Sequence, residues 1–313
     1  MKEAAEEIAT EEGREVLKIG TRSSQLAQAQ AKAVSDLLRT RGIDSELILF
    51  ETKGDKILDR ALNAIGDKGL FTTELERALA KGTIDIAIHS LKDLPTTQAP
   101  HLTIGAYVLP EDPRDVLIAH KDVVWDSLPQ CARVATSSLR RKAFLKVLRP
   151  DLEIIPVRGN LQTRLRKWEE NGWDALVLAA AGVHRLGWHH LVSSYLDPWV
   201  CVPSPGQGIL AVQIRDDRES LKNLLEPFND RRAAVTAMAG RAVLAELGGG
   251  CQVPFGTYAE WINEDKIHIR AKVADVNGKR NITRDIEGLG KDFLHLGRKL
   301  AQELIALGAL QLL

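Results

Sequence analysis

Short apolar runs alternate with helix-like segments through the first half of the chain, and this alternation restricts the fold more than any other feature. Val16–Gly20 predicts a strand, and apolar residues then recur at helical spacing until Gly42 ends the helix. Ile84–Ile88 predicts a buried strand after a second helix that ends near Gly82. Strands separated by helices in this way predict the parallel sheets of an α/β protein.

One strand-to-helix turn occurs twice in similar form. Ile19-Gly-Thr-Arg-Ser-Ser24 joins the first strand to its helix, and Val134-Ala-Thr-Ser-Ser138 precedes a predicted helix at Leu139–Leu148. A strand at Glu153–Val157 and a helix at Leu161–Glu170 continue the second pattern. The repetition predicts two related α/β units.

The last third of the chain has a different pattern. After a strand-like run at Ile209–Ile214, a helix is predicted at about Arg231–Leu247, and a final helix begins near Asp292. Between these helices three strands are predicted, at Phe255–Ile262, Lys266–Ala274 and Arg280–Glu287. Consecutive strands joined by short turns form antiparallel meanders, so a small α+β domain is expected here.

Composition argues against two classes of protein. The chain has 42 basic and 42 acidic residues, and zero net charge is unusual for a general nucleic-acid binder. No apolar run approaches the ~20 residues of a membrane span, and Met1–Glu15 lacks the apolar core of a secretory signal. The three cysteines have no metal-site spacing. We therefore expect a cytoplasmic protein without a metal site, in which Cys131 and Cys201 are small packing residues.

Hydroxyl and arginine side chains follow several of the predicted strands. In open α/β sheets, ligands bind beyond the carboxyl ends of the strands, where helix N-termini present unpaired N–H groups. The residues in these positions are Arg22, Ser23, Ser24, Thr136, Ser137, Ser138, Arg140, Arg141, Arg158, Arg164 and Arg185. For any single turn, helix capping and solvated charge are the favoured explanation. Their repetition predicts a ligand that carries several negative groups.

Asp93 is the candidate acid. It follows a buried strand in His89-Ser-Leu-Lys-Asp93, where a carboxylate could stabilise a developing cation or transfer a proton. The alternative is an aspartate that caps the turn before Pro95 and pairs with Lys92. His89 could carry a proton, although a packed and hydrogen-bonded histidine is favoured at this position.

Cys251 is the candidate reactive thiol. It lies in Gly248-Gly-Gly-Cys-Gln-Val-Pro254, where glycines let the backbone bend and leave space around the sulfur. The alternative is a flexible interdomain loop that contains an incidental cysteine.

Eight stretches in a fixed order carry a resemblance to a known family. They are Ile19-Gly-Thr-Arg-Ser-Ser24, Thr52-Lys-Gly-Asp55, Asp67-Lys-Gly-Leu-Phe71, His89-Ser-Leu-Lys-Asp-Leu-Pro95, Thr136-Ser-Ser-Leu-Arg-Arg141, Arg158-Gly-Asn160 with Thr163-Arg-Leu165, Gly206-Gln-Gly208 and Gly249-Gly-Cys-Gln-Val-Pro254. Together they resemble the porphobilinogen deaminase (hydroxymethylbilane synthase) family.

The resemblance implies an α/β fold with two periplasmic-binding-protein-like α/β domains and a small α+β C-terminal domain that contains a three-stranded antiparallel sheet. It implies a discontinuous domain 1 at residues 16–108 and 209–226. Domain 2 would span residues 114–202. Domain 3, with the cofactor cysteine, would span residues 231–313.

The resemblance also implies the site residues. A dipyrromethane cofactor would be joined by a thioether to Cys251, and Asp93 would be the central catalytic carboxylate, with Lys92 and Arg22 as further catalytic residues. Contacts to cofactor or substrate are implied for Ser24, Lys68, Phe71, Ser90, Thr136, Ser138, Arg140, Arg141, Arg158, Arg164, Arg185 and Gln207. No metal is implied.

The implied reaction joins four porphobilinogen molecules head to tail, with loss of ammonia, into linear hydroxymethylbilane. This is a transferase reaction of tetrapyrrole and heme biosynthesis. Porphobilinogen is the implied partner, without nucleic acid or membrane, and we expect a monomer in the cytoplasm, or in the plastid stroma if a transit peptide was removed. The main alternative is a non-catalytic anion-binding two-domain clamp, which explains the arginines but not Cys251.

Five positions depart from the usual pattern of the family. Asp67 stands where glycine is frequent, and Pro205 stands where valine is usual. Ala64 stands where many members have lysine, which implies one fewer contact to a cofactor carboxylate. Gly240, directly before Arg241, and Gly248, directly before Gly249, stand where glutamate is usual.

Overall fold

The computed structural model of the chain describes residues 16–52, 54, 69–249 and 253–313. The strands in these residues are β1 Leu17–Arg22, β2 Ser45–Phe50, β3 Ile86–Ser90, β4 Leu102–Val108, β5 Asp115–Ala119, β6 Arg133–Ala135, β7 Glu153–Ile155, β8 Ala175–Ala179, β9 Ser194–Tyr195, β10 Leu210–Arg215, β11 Phe255–Trp261, β12 Lys266–Ala274 and β13 Asn281–Leu289. The α-helices are α1 Gln25–Arg39, α2 Thr73–Ala80, α3 Leu139–Leu148, α4 Leu161–Asn171, α5 Ala180–Arg185, α6 Glu219–Leu225, α7 Arg231–Glu246 and α8 Phe293–Ala306. None of the described helices is long and apolar enough to cross a membrane.

The described residues divide into two compact units. One unit contains those of residues 16–110 and 209–234, and the other contains those of residues 111–208 and 235–313. The three-domain bounds expected from the resemblance stay a prediction, because residues 111–208 and 235–313 fall in the same unit.

The first unit is built on a five-stranded sheet with the order β2-β1-β3-β10-β4. β1 is parallel to β2 and β3, whereas β10 runs antiparallel to β3 and β4. Alternate residues of β3 enter different clusters: Ile86 and Ile88 join Val34 of α1, and Ala87 joins Leu75 of α2. Because successive strand residues point to opposite faces, both faces of this sheet are covered, and its strands are correspondingly apolar.

The second unit contains a five-stranded sheet of the same topology, with the order β7-β6-β8-β5-β9. β6 is parallel to β7 and β8, and β5 runs antiparallel to β8 and β9. In each sheet the antiparallel strand is the one that the chain forms on arriving from the other unit, β5 after β4 and β10 after β9. The prediction of two related α/β units is therefore confirmed.

The second unit also contains a three-stranded antiparallel sheet in the order β11-β12-β13. Ile267, Ile269, Ala271 and Val273 of β12 are fully buried on one face, in a cluster with residues of α7 and α8. Burial of each larger aliphatic side chain contributes about 1.5–3 kcal/mol. The three sheets confirm the predicted fold class, including the C-terminal α+β part.

Some predicted bounds were wrong. β3 begins two residues later than expected and includes Ser90, because the Asp85 carboxylate accepts a hydrogen bond from the Lys18 backbone amide at 2.8 Å beside the strand start. β4 and β5 were not predicted as strands, since the apolar pattern around the proline-rich stretch between them is short.

Candidate active site

Arg22 and Ser24 lie where β1 meets α1. Arg22 is the last residue of β1, and its guanidinium carbon lies 4.3 Å from the centroid of the Phe71 ring. A cation at this distance from an aromatic ring is attracted to its face, so Phe71 helps to fix the arginine. Ser24 is the N-cap of α1 and accepts a hydrogen bond from the Ala27 amide at 3.3 Å. The structure thus gives Ser24 a capping contact, and its contact to a ligand stays a prediction.

Ser90, Lys92 and Asp93 lie on the turn after β3. Leu91–Asp93 forms a single 3-10 turn in which Leu91 and Leu94 are buried, whereas Lys92 and Asp93 are half-buried. Ser90 accepts a hydrogen bond from the Gln30 side-chain amide at 3.0 Å. Apolar anchors on both sides of two charged residues therefore hold this turn at the end of a buried strand.

The Asp93 carboxylate makes no hydrogen bond or ion pair with any residue that the structure describes. The alternative interpretation required an ion pair with Lys92, and within the described residues that pair is not formed. A half-buried carboxylate in this position can accept a hydrogen bond from a ligand N–H group or stabilise a positive charge on a ligand.

His89 is a packed residue rather than a proton carrier. It is 5% exposed, and its Nε2 atom lies 3.1 Å from the side-chain oxygen of Gln213. Burial lowers the pKa of His89 to about 4, against the opposing effect of the Gln213 hydrogen bond, and the nearby Arg22 charge lowers it further. The imidazole is therefore neutral at physiological pH, and the packed interpretation is confirmed.

Thr136 and Ser138 form a hydrogen-bonded turn between β6 and α3. Ser138 is the N-cap of α3 and accepts from the Arg141 amide at 3.3 Å. Its own amide donates to the Thr136 hydroxyl at 3.3 Å. These contacts are those of the capping alternative, and a role for the two hydroxyls in ligand binding stays a prediction.

Arg140 and Arg141 both bind Asp115, the first residue of β5. Asp115 is fully buried, and its two carboxylate oxygens each lie 2.8 Å from a guanidinium nitrogen, one of Arg140 and one of Arg141. Arg140 also donates to the Val202 carbonyl at 2.8 Å and to the Ser204 hydroxyl at 3.1 Å. Burial would raise the pKa of Asp115, but the two arginine charges overcome it and hold the pKa below its ordinary value.

This arrangement gives the two arginines partners within the protein, and their contact to a ligand stays a prediction. Sequence analysis gave their charges to a ligand, whereas the structure directs the described hydrogen bonds of both side chains at protein atoms. Gln207, also predicted as a ligand contact, is 4% exposed and donates to Asp115 at 2.9 Å and to the Pro113 carbonyl at 2.7 Å. Asp115 therefore organises three of the predicted site residues and was itself missed. Its only signal in the sequence is a single acid at the start of an apolar run.

Arg158, Arg164 and Arg185 lie at other strand and helix ends of the second unit. Arg164 donates to the Gly159 carbonyl at 2.8 Å, and Gly159 has a positive φ of 117° that favours glycine. Arg185 donates to the Gly208 carbonyl at 2.6 Å. Burial lowers the pKa of Arg158, and it lowers the pKa of Arg185 to about 10 although the Glu111 charge opposes the shift. Such desolvated guanidinium groups are suited to bind carboxylates.

Lys68 and Cys251 lie outside the described residues. Next to the cysteine loop, Gly248 has a positive φ of 65°, a conformation that a glutamate side chain would strain. A Cβ atom on Gly240 would clash with the Thr257 hydroxyl. Both glycines in place of glutamate therefore have a local physical reason in this chain.

The other two cysteines were predicted to pack in the interior. Cys201 is buried, and burial raises the pKa of its thiol to about 12, so this prediction is confirmed. Cys131 is exposed and has a positive φ of 58°, so the prediction is wrong for this residue.

Two models of known protein families match most of the chain. Residues 17–223 match the family model of the porphobilinogen deaminase dipyrromethane cofactor binding domain, and residues 234–306 match that of the porphobilinogen deaminase C-terminal domain. The chain belongs to the porphobilinogen deaminase family. The predicted family is thereby confirmed, and the chain contains the dipyrromethane cofactor binding domain.

Individual relatives agree with the family match. The porphobilinogen deaminase of Syntrophomonas wolfei is 44% identical over 95% of this chain and 97% of the relative. That of Carboxydothermus hydrogenoformans is 45% identical over 94% of this chain and 95% of the relative. The chain therefore spans nearly the whole length of these family members.

Solved structures give weaker likenesses. The periplasmic VFT2 domain of Bordetella pertussis BvgS is 17% identical, over 71% of this chain and 88% of that chain, with a TM-score of 0.42. The methionine-binding protein MetQ is 14% identical, over 72% of this chain and 96% of that chain, with a TM-score of 0.43.

The described residues fit the cofactor of the family. A dipyrromethane carries carboxylate arms. The second unit holds Arg158 and Arg185, whose pKa burial has lowered, and a carboxylate beside such a guanidinium group would raise its pKa again. Its pyrrole N–H groups require an acceptor, and the first unit holds the half-buried Asp93 carboxylate.

Proposed function

We propose that this protein is a hydroxymethylbilane synthase, a transferase that condenses four porphobilinogen molecules head to tail into a linear tetrapyrrole. The observation that carries the proposal is the match of residues 17–223 and 234–306 to the two family domains, together with a carboxylate at Asp93 on the turn after β3. Asp93 is the residue on which the chemistry depends.

Asp93 acts on the substrate aminomethyl group. Loss of ammonia leaves positive charge on the substrate methylene carbon and pyrrole ring, and a fixed carboxylate stabilises that charge where water would have to reorganise. The carbon–nitrogen bond breaks, the new bond forms to a free pyrrole α-carbon, and that carbon then loses its proton. A carboxylate within reach of these groups can accept the proton. Arg22, at the end of β1, and Lys92, on the same turn as Asp93, are proposed to help by holding anionic groups.

Cys251 is the proposed attachment point of the cofactor. A dipyrromethane joined to this thiol would supply the pyrrole α-carbon to which the first substrate is added. From the sequence we expect the glycines at positions 248 to 250 to leave room for a bulky group on the thiol. Lys68 is proposed to bind a cofactor carboxylate.

Arg158, Arg164 and Arg185 are the proposed carboxylate contacts of the second unit. Their support is their position at strand and helix ends and, for Arg158 and Arg185, the lowering of their pKa by burial. Ser24, Phe71, Ser90, Thr136 and Ser138 are proposed as further contacts. Arg140, Arg141 and Gln207 all bind Asp115, which fixes the positions of their side chains. We propose that they contact the ligand through N–H groups that do not bind Asp115.

Porphobilinogen is the proposed substrate, and a cytoplasmic or plastid monomer is the proposed working form. Size-exclusion chromatography with light scattering would report the monomer. The alternative of a non-catalytic anion-binding clamp has no support in the family matches, which name an enzyme family over nearly the full chain.

Product stoichiometry tests the function. Protein purified with its cofactor is incubated with porphobilinogen, and both released ammonia and linear tetrapyrrole are measured. The proposal predicts catalytic turnover with four ammonia molecules released for each tetrapyrrole. Porphobilinogen that is bound and recovered unchanged would favour the clamp and contradict the proposal.

A further inference from the structure

Two side-chain amides, of Gln213 and Gln98, connect the residues on either side of the turn that carries Asp93. His89 is near the end of β3, and Gln213 of the neighbouring β10 is fully buried. In the antiparallel register Gln213 lies opposite Ala87, two residues before His89, so both polar side chains are on the same face of the sheet. On the other side of β10, the register against β4 shifts between Val212 and Gln213, where Gly105 of β4 is left unpaired.

Three hydrogen bonds connect His89 to the far end of the turn. The His89 Nε2 atom lies 3.1 Å from Gln213 Oε1. Gln213 Nε2 donates to Gln98 Oε1 at 3.0 Å, and Gln98 Nε2 donates to the Pro95 carbonyl at 3.2 Å. The line therefore starts just before the turn at residues 91–93 and ends just after it.

The last acceptor fixes the direction of the whole line. A backbone carbonyl can only accept, so Gln98 must present its NH₂ group to Pro95 and its oxygen to Gln213. Gln213 must then donate to Gln98 and present its own oxygen to His89. Because a carbonyl oxygen cannot donate, His89 must carry its proton on Nε2. One carbonyl thus determines two amide orientations and one histidine tautomer.

We infer that Gln213 and Gln98 are positioning residues, which hold the Ser90–Pro95 turn so that the Asp93 carboxylate meets the substrate. The inference rests on the proposed function, because it assigns these residues to the reaction of Asp93. The other side of the turn is held by the backbone, where the Leu91 amide donates to the Ile209 carbonyl at 3.0 Å. The chain at β10 therefore supports the turn at two points. The carbonyl of Ile209, directly before the strand, binds Leu91, and the side chain of Gln213 within the strand binds the line that ends at Pro95.

The turn needs such support because a single 3-10 turn has few hydrogen bonds of its own. Within this turn the Leu94 amide bonds to the Leu91 carbonyl at 3.2 Å. A catalytic group displaced by about 1 Å can lose a large part of its rate effect. Loosening the Pro95 end of the turn should therefore lower kcat more than it changes KM.

Two substitutions interrupt the line at different places. Gln98→Glu is nearly isosteric and keeps an acceptor for Gln213, but it removes the donor to Pro95 and places two acceptors against each other. Gln213→Leu removes the central link. Ser35→Ala is the matched control, because it removes the part-buried hydrogen bond of 2.8 Å that the Ser45 hydroxyl donates to Ser35 in the same unit. Ser45 pairs with Leu17 at the amino ends of β1 and β2, whereas the turn with Asp93 follows the carboxyl end of β3.

We expect kcat for porphobilinogen to fall roughly tenfold in both glutamine variants, with KM changed less than about twofold. Ser35→Ala should keep both constants while lowering the thermal midpoint. If Gln213→Leu does not fold by circular dichroism, Gln98→Glu decides. A folded Gln98→Glu protein with wild-type kcat would overturn the inference, as would an equal loss of kcat in Ser35→Ala.

The histidine tautomer tests the line without any use of activity. In ¹⁵N-histidine NMR spectra of the wild-type protein at neutral pH, assigned with a His89→Gln variant, we expect a neutral His89 protonated on Nε2. An Nδ1–H tautomer or an imidazolium at this position would overturn the inference. A wild-type protein that fails to consume porphobilinogen would contradict the proposed function instead, and the NMR result would still stand or fall by itself.

Discussion

Asp115 and Arg140 form an ion pair of 2.8 Å in which the acid is fully buried and the arginine side chain is 3% exposed. Arg141 binds the other oxygen of the same carboxylate at 2.8 Å. Two cations on one buried anion leave one positive charge in the interior of the second unit. The Asp115 cluster, which we define as Asp115, Arg140, Arg141 and Gln207, is therefore stable only while the aspartate is ionised.

Asp115→Asn should destabilise the fold. The substitution leaves two buried guanidinium groups without a counter-charge, and loss of one partner of a buried ion pair costs about 3–5 kcal/mol. Chemical denaturation followed by circular dichroism measures the change. The control is Asp217→Asn, which removes the exposed ion pair with Arg215 and should barely move the midpoint. Equal midpoints for wild type and Asp115→Asn would show that the cluster does not hold the fold.

The same cluster predicts a pH dependence. The pKa of Asp115 in the folded chain is below its ordinary value of 3.8, because the arginine charges overcome the effect of burial. A lowered folded pKa gives stability that is fully present above the unfolded pKa and is lost as the pH falls below it. The free energy of unfolding of the wild type should therefore decline below about pH 4. Asp115→Asn should show a shallower decline over that range, and parallel curves for the two proteins would contradict the assignment.

Arg158→Leu should separate ligand binding from stability. Burial lowers the pKa of Arg158, and a substrate carboxylate beside the guanidinium group would raise that pKa again. We expect KM for porphobilinogen to rise by about tenfold or more, equivalent to about 1.5–3 kcal/mol for a hydrogen bond to a charged group. Arg166→Leu, on the exposed side of α4 where Arg166 pairs with Glu170, is the control. An unchanged KM in Arg158→Leu would remove this arginine from the site.

Arg140→Leu should behave differently from Arg158→Leu. The substitution breaks the contacts to Asp115, Val202 and Ser204 together, so its main effect should be a lower thermal midpoint rather than a higher KM. A protein with an unchanged midpoint and a raised KM would instead support a direct contact between Arg140 and the ligand.

Asp93→Asn should keep the fold and lose turnover. Asparagine has nearly the shape of aspartate, but it cannot stabilise a cation by charge or accept a proton. General acid–base catalysis contributes about 10²–10⁴-fold, so kcat should fall by at least about 100-fold. Steady-state assays and thermal unfolding are compared with those of Asp126→Asn. Near-normal kcat in folded Asp93→Asn would end the role assigned to Asp93.

Local patterns in the sequence predicted most of the fold. The strand-to-helix turns that contain Ser24 and Ser138 were located correctly, because N-capping depends on a few adjacent residues. The β11–β13 meander was located within two residues, because apolar alternation and turns are also local signals.

Partner choice in the interior could not be predicted in the same way. Arg140 and Arg141 have a sequence typical of a ligand site, but their partner Asp115 lies 25 and 26 residues away on an antiparallel strand. Asp115 lies beside the two arginines only because β5 pairs with β8 in the folded sheet, and the local sequence does not encode that pairing. Gln213 was missed for the same reason, since its contact with His89 joins strands that are 124 residues apart.

Intact mass spectrometry of the purified protein tests the central claim most directly, with Cys131→Ser and Cys201→Ser as controls. The account predicts that the wild type and both controls are heavier than their sequences by one dipyrromethane, and that Cys251→Ser has the mass of the bare chain. A wild-type protein of bare-chain mass, when purified with its cofactor supply intact, or a Cys251→Ser protein that keeps the added mass, would contradict it.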